Sequence, residues 1–241
     1  MPDTPAKVLL VTGGSRGIGA ATARLAARDG FAVAVNYTAR ADAADAVVAQ
    51  IRAMGGRAMA VQADVADEAQ VLAMFARVDA ELGRLTALVN NAGVVDKTAR
   101  VDQMSLQRLK RMFDINVLGS FLCAREAVLR MSTRHGGTGG AIVNVSSAAA
   151  RLGSPGQYVD YAAAKGAMDA MTIGLAKEVA AEGIRVNAVR PGLIETEIHA
   201  SGGLPNRVTC STRCRCSAAA LPTRWPRPLC GCCHQRPATP P

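Results

Sequence analysis

Long apolar runs are absent from this chain of 241 residues, so the sequence predicts no segment that spans a membrane. An apolar signal region before the first strand-like run is also missing, which leads us to expect a cytoplasmic protein. Cysteine is scarce over residues 1–207, where Cys123 is the single example, and this fits a reducing compartment. The length suffices for one α/β domain with a sizeable core.

Acidic residues are missing from residues 208–241, and this absence divides the chain into two parts. The last part carries five Arg, six of the seven Cys, six of the eleven Pro and the only Trp. Residues 1–207 carry 23 basic and 19 acidic side chains, a nearly even balance that disfavours nucleic-acid binding. We therefore predict one domain over 1–207 and an atypical, poorly ordered tail over 208–241.

The cysteines of the tail do not have the spacing of a metal site. The clusters Cys214-x-Cys216 and Cys230-x-Cys232-Cys233-His234 contain one C-x-x-C spacing, Cys230 with Cys233. No second such pair accompanies it, whereas zinc sites combine two ligand pairs. The sequence thus predicts no metal.

Short apolar runs alternate with amphipathic stretches up to about residue 200. This alternation indicates a parallel sheet covered by helices on both faces, that is, a doubly wound α/β fold. The predicted strands are Lys7–Thr12, Phe31–Asn36, Ala58–Gln62, Ala87–Asn90, Ala141–Val145 and Arg185–Val189. The predicted helices are Gly17–Arg28, Ala41–Met54, Glu68–Leu82, Leu106–Met131 and Tyr161–Ala181.

A glycine-rich turn comes directly after the first predicted strand, with the spacing Gly13-x-x-x-Gly17-x-Gly19. Glycine lets the backbone turn sharply and approach an anion, and the helix that begins near Gly17 offers free N–H groups to a phosphate. A plain connection between strand and helix is the alternative. The candidate dinucleotide contacts in this turn are Gly13, Ser15, Arg16, Gly17, Ile18 and Gly19.

Further polar residues lie after the next predicted strands. Asp64 is placed to accept a hydrogen bond from an adenine amino group, with Val65 beside it, and Asn90, Ala92 and Gly93 end the fourth strand. The second strand ends in Asn36-Tyr37-Thr38, without a carboxylate for a ribose 2′-hydroxyl. Arg16 and Arg40 instead suit a 2′-phosphate, so NADP(H) is favoured and NAD(H) remains possible. Arg40 is alternatively a solvated residue at a helix start.

Tyr161 and Lys165 lie at i and i+4, so they share one face of a predicted helix. An ammonium near the phenol is expected to lower its pKa from about 10 and to hold a nicotinamide ribose. Ser147 is placed to hydrogen-bond a substrate oxygen, although a serine after a strand is often a turn or a helix cap. Asn116 is a candidate for holding a water that links Lys165 to solvent.

Taken together, these residues resemble the short-chain dehydrogenase/reductase family over residues 7 to about 207. The matching elements are Thr12–Gly19, Asp64, Asn90–Gly93, Asn116, Ser146-Ser147, Tyr161 with Lys165, and Pro191–Thr196.

The resemblance implies a single Rossmann-like domain, a homo-oligomer, and NAD(P)-linked reduction of carbonyls or oxidation of secondary alcohols. It implies a catalytic tetrad of Asn116, Ser147, Tyr161 and Lys165. It also implies cofactor contacts from Pro191, Gly192, Ile194 and Thr196, the last two at the nicotinamide carboxamide. The chain looks similar to 3-oxoacyl-carrier-protein reductases and to glucose dehydrogenase-like members, which does not fix a substrate.

The tail departs from this resemblance, because family members continue with another helix and a last strand. The codons for Cys214–Pro240 can be read in a shifted frame that begins at the third base of each codon. One reading that the genetic code permits gives an amphipathic helix with acids near its start, as the family has there. We therefore expect a frameshift near Val208, and a sheet that lacks the usual last strand. Two alternatives to an active oxidoreductase stay open: a catalytically impaired nucleotide-binding remnant, and a nucleic-acid-binding protein that uses the basic tail.

Overall fold

The computed structural model describes residues 7–192 and residue 194, and shows the predicted parallel sheet. Its six strands have the order β3-β2-β1-β4-β5-β6, and every neighbouring pair is parallel. The doubly wound fold class is thereby confirmed. The strands are β1 Val8–Val11, β2 Ala32–Tyr37, β3 Ala58–Gln62, β4 Ala87–Asn90, β5 Gly140–Val145 and β6 Ile184–Val189.

The sheet is buried on both faces, as its apolar strands require. Alternate residues of β1 enter opposite cores: Val8 and Leu10 join the core that includes Phe75, whereas Leu9 and Val11 join the one that includes Ile51. Successive side chains of a strand point to opposite faces, so a strand covered on both sides is largely apolar. Within the described residues, no helix is long and apolar enough to cross a bilayer.

The helices match the predicted ones except in the middle of the chain. They are α1 Gly17–Arg28, α2 Ala41–Ala53, α3 Glu68–Glu81, α4 Leu106–Phe113, α5 Gly119–Met131, α6 Ala149–Leu152 and α7 Val159–Val179. The helical stretch predicted over Leu106–Met131 is found with those bounds, but a π-helical turn at Asp114–Leu118 lies between α4 and α5. The sequence analysis did not predict this π-helical turn. The sequence analysis also missed α6, which has a single turn.

The strand order reverses between β1 and β4, which both lie at the centre of the sheet. A parallel sheet with such a switch point binds ligands at the carboxyl ends of its strands. The segments after β1, β4 and β5 therefore meet at one edge. The predictions for residues 208–241 and for Thr196 lie outside the described residues.

Candidate active site

The glycine-rich turn after β1 is held against the end of β2. Asn36 Oδ1 accepts a hydrogen bond from Gly13 N at 3.1 Å, and its backbone oxygen accepts one from Gly14 N at 2.8 Å. Its Nδ2 donates to the carbonyl of Ala63 at 3.0 Å, beyond β3. One buried amide thus joins three segments at this edge of the sheet. The sequence analysis missed Asn36, although a polar residue in an apolar strand was a signal for it.

A second amide fastens the turn to the segment after β4. Asn91 Nδ2 donates to the carbonyl oxygens of Thr12 and Gly13 at 2.8 and 2.9 Å. The hydroxyl of Thr12 accepts the N–H groups of Asn91 and Ala92 at 2.9 and 3.0 Å. Gly13 has φ = +59°, and a Cβ built there would lie 3.0 Å from the Cα of Ala92. A side chain at Gly13 would therefore be strained by the positive φ and crowded against the segment after β4.

The start of α1 has the character of an anion site. The helix begins after Arg16 without a side-chain cap and without an acidic residue in its first turn. The first N–H groups of a helix have no partner within it, and they carry the positive end of its dipole. By contrast, a carboxylate of the chain itself caps α3, where Asp67 accepts from Gln70 N. The residues at the start of α1 therefore fit a dinucleotide phosphate.

Arg40 lies at the start of α2 and is already held by a carboxylate. Its Nε and terminal nitrogen donate to the two oxygens of Asp42 at 3.0 and 2.9 Å, and both side chains are mostly exposed. Arg16 is also exposed and precedes α1. Because β1 and β2 are neighbours in the sheet, the two arginines come after adjacent strands at the same edge. No carboxylate occupies the end of β2 at Tyr37 or Thr38.

Asp64 borders an open cleft of about 600 Å³ between the residues after β3 and α4. Its Oδ1 accepts the N–H of Ala66 at 3.0 Å, so part of the hydrogen-bonding capacity of this carboxylate stabilises its own loop. Ile115 supplies an apolar wall of the cleft, which suits the ring expected beside Asp64. Tyr161 does not line this cleft. Val65 is buried against the start of α5, where a Cβ on Gly119 would lie 2.7 Å from its side chain.

Tyr161 and Ser147 meet across the edge of the sheet. A hydrogen bond from Ser147 lowers the pKa of the Tyr161 phenol, but burial has the larger effect and raises the pKa above its usual 10. Ser147 Oγ also accepts the N–H of Ala149 at 3.1 Å at the start of α6. This serine therefore has both the capping contact and the contact expected of a catalytic group.

Lys165 is buried, and its ammonium bonds to the protein backbone. Its Nζ donates to the carbonyl of Val145 at 2.7 Å and lies 5.6 Å from the centroid of the Tyr161 ring. Burial lowers the pKa of Lys165 to about 8, partly offset by Asp169. The ammonium does not lower the pKa of Tyr161 here, contrary to expectation, because burial of the phenol dominates.

Asn116 lies in the π-helical turn, and its amide holds the segment after β4. Its Nδ2 donates to the carbonyls of Met112 and Val94 at 2.9 and 3.1 Å, and its Oδ1 accepts Val94 N at 3.2 Å. A Cβ on Gly93 would lie 2.7 Å from this Oδ1 and 3.5 Å from Lys165 Nζ. The structure thus brings Asn116, Gly93 and Lys165 together, with one further lone pair on Oδ1 for a water.

The other expected cofactor residues occupy different positions. Asn90 is buried, and its Nδ2 donates to Ser120 O and Asn144 Oδ1, so its side chain joins elements of the core. Pro191 and Gly192 come after β6, and the carbonyl of Pro191 accepts Ala148 N at 3.0 Å beside Ser147. Ile194 is partly buried.

The comparisons with known proteins show the family of this chain. The profile of the short chain dehydrogenase family matches residues 7–204. An uncharacterized oxidoreductase of Escherichia coli, YgfF, is 58% identical over 201 residues, which are 83% of this chain and 81% of the relative. A 3-oxoacyl-[acyl-carrier-protein] reductase of Synechocystis is 44% identical over 198 residues, which are 82% and 78% of the two chains.

A solved structure is similar over the same region. It is a short chain dehydrogenase from Burkholderia cenocepacia in complex with NADP, with a TM-score of 0.74 and 41% identity. The match covers 80% of this chain and 76% of that one.

Proposed function

Because this chain belongs to the short chain dehydrogenase family, we propose that it is an NADP(H)-dependent oxidoreductase that reduces a carbonyl group or oxidises a secondary alcohol. The observation that carries the proposal is that Lys165 Nζ lies 5.6 Å from the centre of the Tyr161 ring and bonds to the carbonyl of Val145, where β5 ends just before Ser147. It acts on a small molecule, in the cytoplasm and as a homo-oligomer. Exposed apolar side chains on α5, such as Phe121, support self-association.

Each residue of the site has its own part in the reaction. Bound NADP(H) supplies or accepts the hydride. Ser147 Oγ and Tyr161 Oη hold the substrate oxygen, and in reduction the phenol gives its proton to that oxygen. Lys165, whose Nζ donates to Val145 O, would hold a hydroxyl of the nicotinamide ribose and would stabilise the phenolate left behind. Asn116 Oδ1 holds a water through which the phenolate regains a proton.

The phenol of Tyr161 is protonated at neutral pH, since its ordinary pKa is about 10 and burial raises it further. It can therefore give a proton to a carbonyl oxygen in reduction, whereas oxidation needs Lys165 to stabilise the phenolate.

A binding titration combined with a turnover assay tests this function. The purified chain is titrated with NADPH and NADH, and then assayed for NADPH oxidation with a β-keto ester, a cyclic ketone and an aromatic aldehyde. We expect NADPH binding and turnover of at least one carbonyl. Binding without any turnover would identify the nucleotide-binding remnant, and the absence of NADPH binding would refute both. Salt-dependent retention on DNA would instead favour the nucleic-acid alternative.

The preference for NADP(H) rests on Arg40 and Arg16. Supporting it are the lack of a carboxylate at the end of β2 and the NADP complex of the Burkholderia relative. A charge-assisted pair with the 2′-phosphate contributes about 1.5–3 kcal/mol. Arg40→Gln should therefore raise the Kd for NADPH by roughly 10- to 100-fold and leave that for NADH unchanged.

The matched control is Arg24→Gln, an exposed arginine of α1 that donates to Gln50. Asp42→Asn should tighten NADPH binding, because it releases Arg40 from its carboxylate. Equal Kd values for NADPH and NADH in the unaltered chain would show that the preference is wrong.

A further inference from the structure

Arg108 of α4 and Asp160 of α7 form an ion pair that is almost removed from solvent. Arg108 Nε lies 2.7 Å from Asp160 Oδ2, and a terminal nitrogen lies 3.2 Å from Oδ1. The side chains are 11% and 0% exposed. The free energy lost when two charges are removed from water exceeds their mutual attraction, unless their geometry is good and their remaining polar atoms are hydrogen-bonded. This pair meets both conditions, since two hydrogen bonds join it.

Each partner makes one further contact, and both contacts lead to the candidate active site. The third nitrogen of Arg108 donates to the carbonyl of Lys97 at 2.6 Å. Asp160 Oδ1 accepts the backbone N–H of Tyr161 at 2.9 Å. The pair therefore joins α4, the segment beyond Gly93 and the first turn of α7, which carries the phenol.

The same segment is tied to the other side of the site. Ala99 N donates to the carbonyl of Gln157 at 3.1 Å, just before α7 begins. The residues around 97–99 are thus bonded directly to Gln157, and through Arg108 they are linked to Asp160 in the first turn of α7.

We propose that Arg108 and Asp160 are positioning residues, which hold the first turn of α7 and the segment 97–99 at a fixed separation so that the Tyr161 hydroxyl meets the substrate oxygen. This inference rests on the proposed function. Neither residue touches the reacting atoms, so each acts through Tyr161. A displacement of about 1 Å in such a group can cost on the order of 100-fold in rate.

Stabilising the helix start does not by itself require this pair. An acidic residue in the first turn is favourable through the helix dipole alone, and Asp67 caps α3 from an exposed position by accepting Gln70 N. At α7 the acid is instead buried, with an arginine that reaches a third segment. Such geometry fixes orientation, which an exposed cap does not.

Kinetics of three altered chains separate positioning from stability. Arg108→Gln and Asp160→Asn each break the pair, and Arg108→Met with Asp160→Leu removes both charges together. Replacing a buried pair by apolar residues is often neutral for stability. We expect the melting temperature of the double variant to be close to that of the unaltered chain. Its kcat should nevertheless be lower by roughly 10- to 100-fold, while its Kd for NADPH is unchanged. Arg77→Gln, which removes an exposed pair with Glu81 on α3, is the matched control.

A spectroscopic measurement decides the question independently of turnover. The chain has three tyrosines, so fluorotyrosine labelling gives three fluorine signals, and the one lost in Tyr161→Phe belongs to Tyr161. In the cofactor-free chain, both single variants should move this signal, whereas Arg77→Gln should not. A chain without activity would refute the proposed function, and this signal would then decide the positioning role.

Two results would overturn the inference. One is a double variant with the kcat of the unaltered chain, and the other is a Tyr161 signal that stays in place in both single variants. Either result would leave Arg108 and Asp160 with a structural role alone. A lower kcat together with a moved signal would establish them as positioning residues.

Discussion

A buried ammonium at Lys165 opposes folding until a ligand or a carbonyl offsets its lost hydration. The single carbonyl of Val145 satisfies one of its three N–H donors at 2.7 Å, and burial still lowers its pKa to about 8. This lysine therefore carries free energy that a ribose hydroxyl can recover when the cofactor binds. The lost hydration of the ammonium both destabilises the folded chain and favours binding of a ligand that supplies a hydrogen-bond acceptor.

The first prediction concerns the pH dependence of stability. The unfolded chain holds the Lys165 proton up to its usual pKa of 10.5, while the folded chain releases it near 8. Between these values the unfolded state binds more protons, so stability rises with pH. From about pH 8 to about pH 10 the free energy of unfolding should increase by about 2 kcal/mol relative to Lys165→Met.

Chemical denaturation across this pH range measures the effect. Above about pH 10 the raised pKa of Tyr161 acts in the opposite direction, so the comparison ends there. Lys177→Met, an exposed lysine of the same helix, should retain the rise. If the rise persists in Lys165→Met, Lys165 is not its source.

The second prediction concerns the phenol. Tyr161→Phe keeps the ring but removes the group that exchanges a proton with the substrate oxygen, so kcat should fall by roughly 100-fold or more. The Kd for NADPH should barely change, which separates loss of chemistry from loss of the fold. The assay uses the unaltered chain, or the frame-restored protein if that chain is too slow to measure. Near-normal turnover in Tyr161→Phe would remove this residue from the mechanism.

The turn between β1 and α1 works as one unit with the segment after β4. Asn91 is bonded to the carbonyls of Thr12 and Gly13, and Gly19 is the residue that leaves room for it. A Cβ on Gly19 would lie 2.5 Å from both Asn91 Nδ2 and the carbonyl of Gly13. The glycine is therefore required by close packing around a hydrogen bond as well as by access for a phosphate.

The third prediction rests on that crowding. Gly19→Ala should break the Asn91 contact and lower the melting temperature. It should also weaken NADPH binding by 10-fold or more, which corresponds to roughly one lost hydrogen bond to a charged ligand. Gly174→Ala is the control, since a Cβ there meets no atom within 4 Å in the interior of α7. It should stabilise the helix by roughly 0.5–1 kcal/mol without altering the Kd. An unchanged Kd in Gly19→Ala would mean that the turn can relax.

The stability of the whole molecule is predicted to depend on the segment after residue 207. The family profile matches residues 7–204, and the Arg-, Cys- and Pro-rich residues 208–241 show no apolar period that supplies a helix or a core strand. Their predicted poor packing lies outside the described residues and stays a prediction. If it holds, the edge of the sheet beyond β6 lacks the family's last strand, and an uncovered edge favours aggregation.

The fourth prediction compares this chain with a frame-restored protein. Restoring the alternative frame near Val208 should raise the free energy of unfolding, increase turnover and slow proteolysis, because the restored segment covers apolar surface and an edge strand. Denaturation, carbonyl reduction and limited proteolysis of the two proteins measure this. Equal stability and turnover, or a well-packed last strand built from residues 208–241, would contradict it. Resequencing the gene over this stretch decides between a natural frameshift and a sequence error.

Local pattern was enough to predict the strands and the fold class. The predicted bounds of Ala58–Gln62 and Ala87–Asn90 match the observed strands, because strands covered on both faces are largely apolar and stand out from the polar residues around them. The glycine spacing after β1 and the i, i+4 spacing of Tyr161 and Lys165 were also readable, since both contacts form within a few residues. The roles of these site residues remain proposals.

Contacts between distant residues were decided by the tertiary structure. The amides of Asn36 and Asn91 could not be assigned from the sequence, because their acceptors lie in other segments of the chain. The π-helical turn at Asn116 depends on bonds to Val94, and the pairing of Arg108 with Asp160 spans 52 residues. Lys165 faces Val145 because burial demands an acceptor nearby. Which acceptor or charge a buried group meets is set by how the strands and helices pack, and a linear pattern does not contain that information.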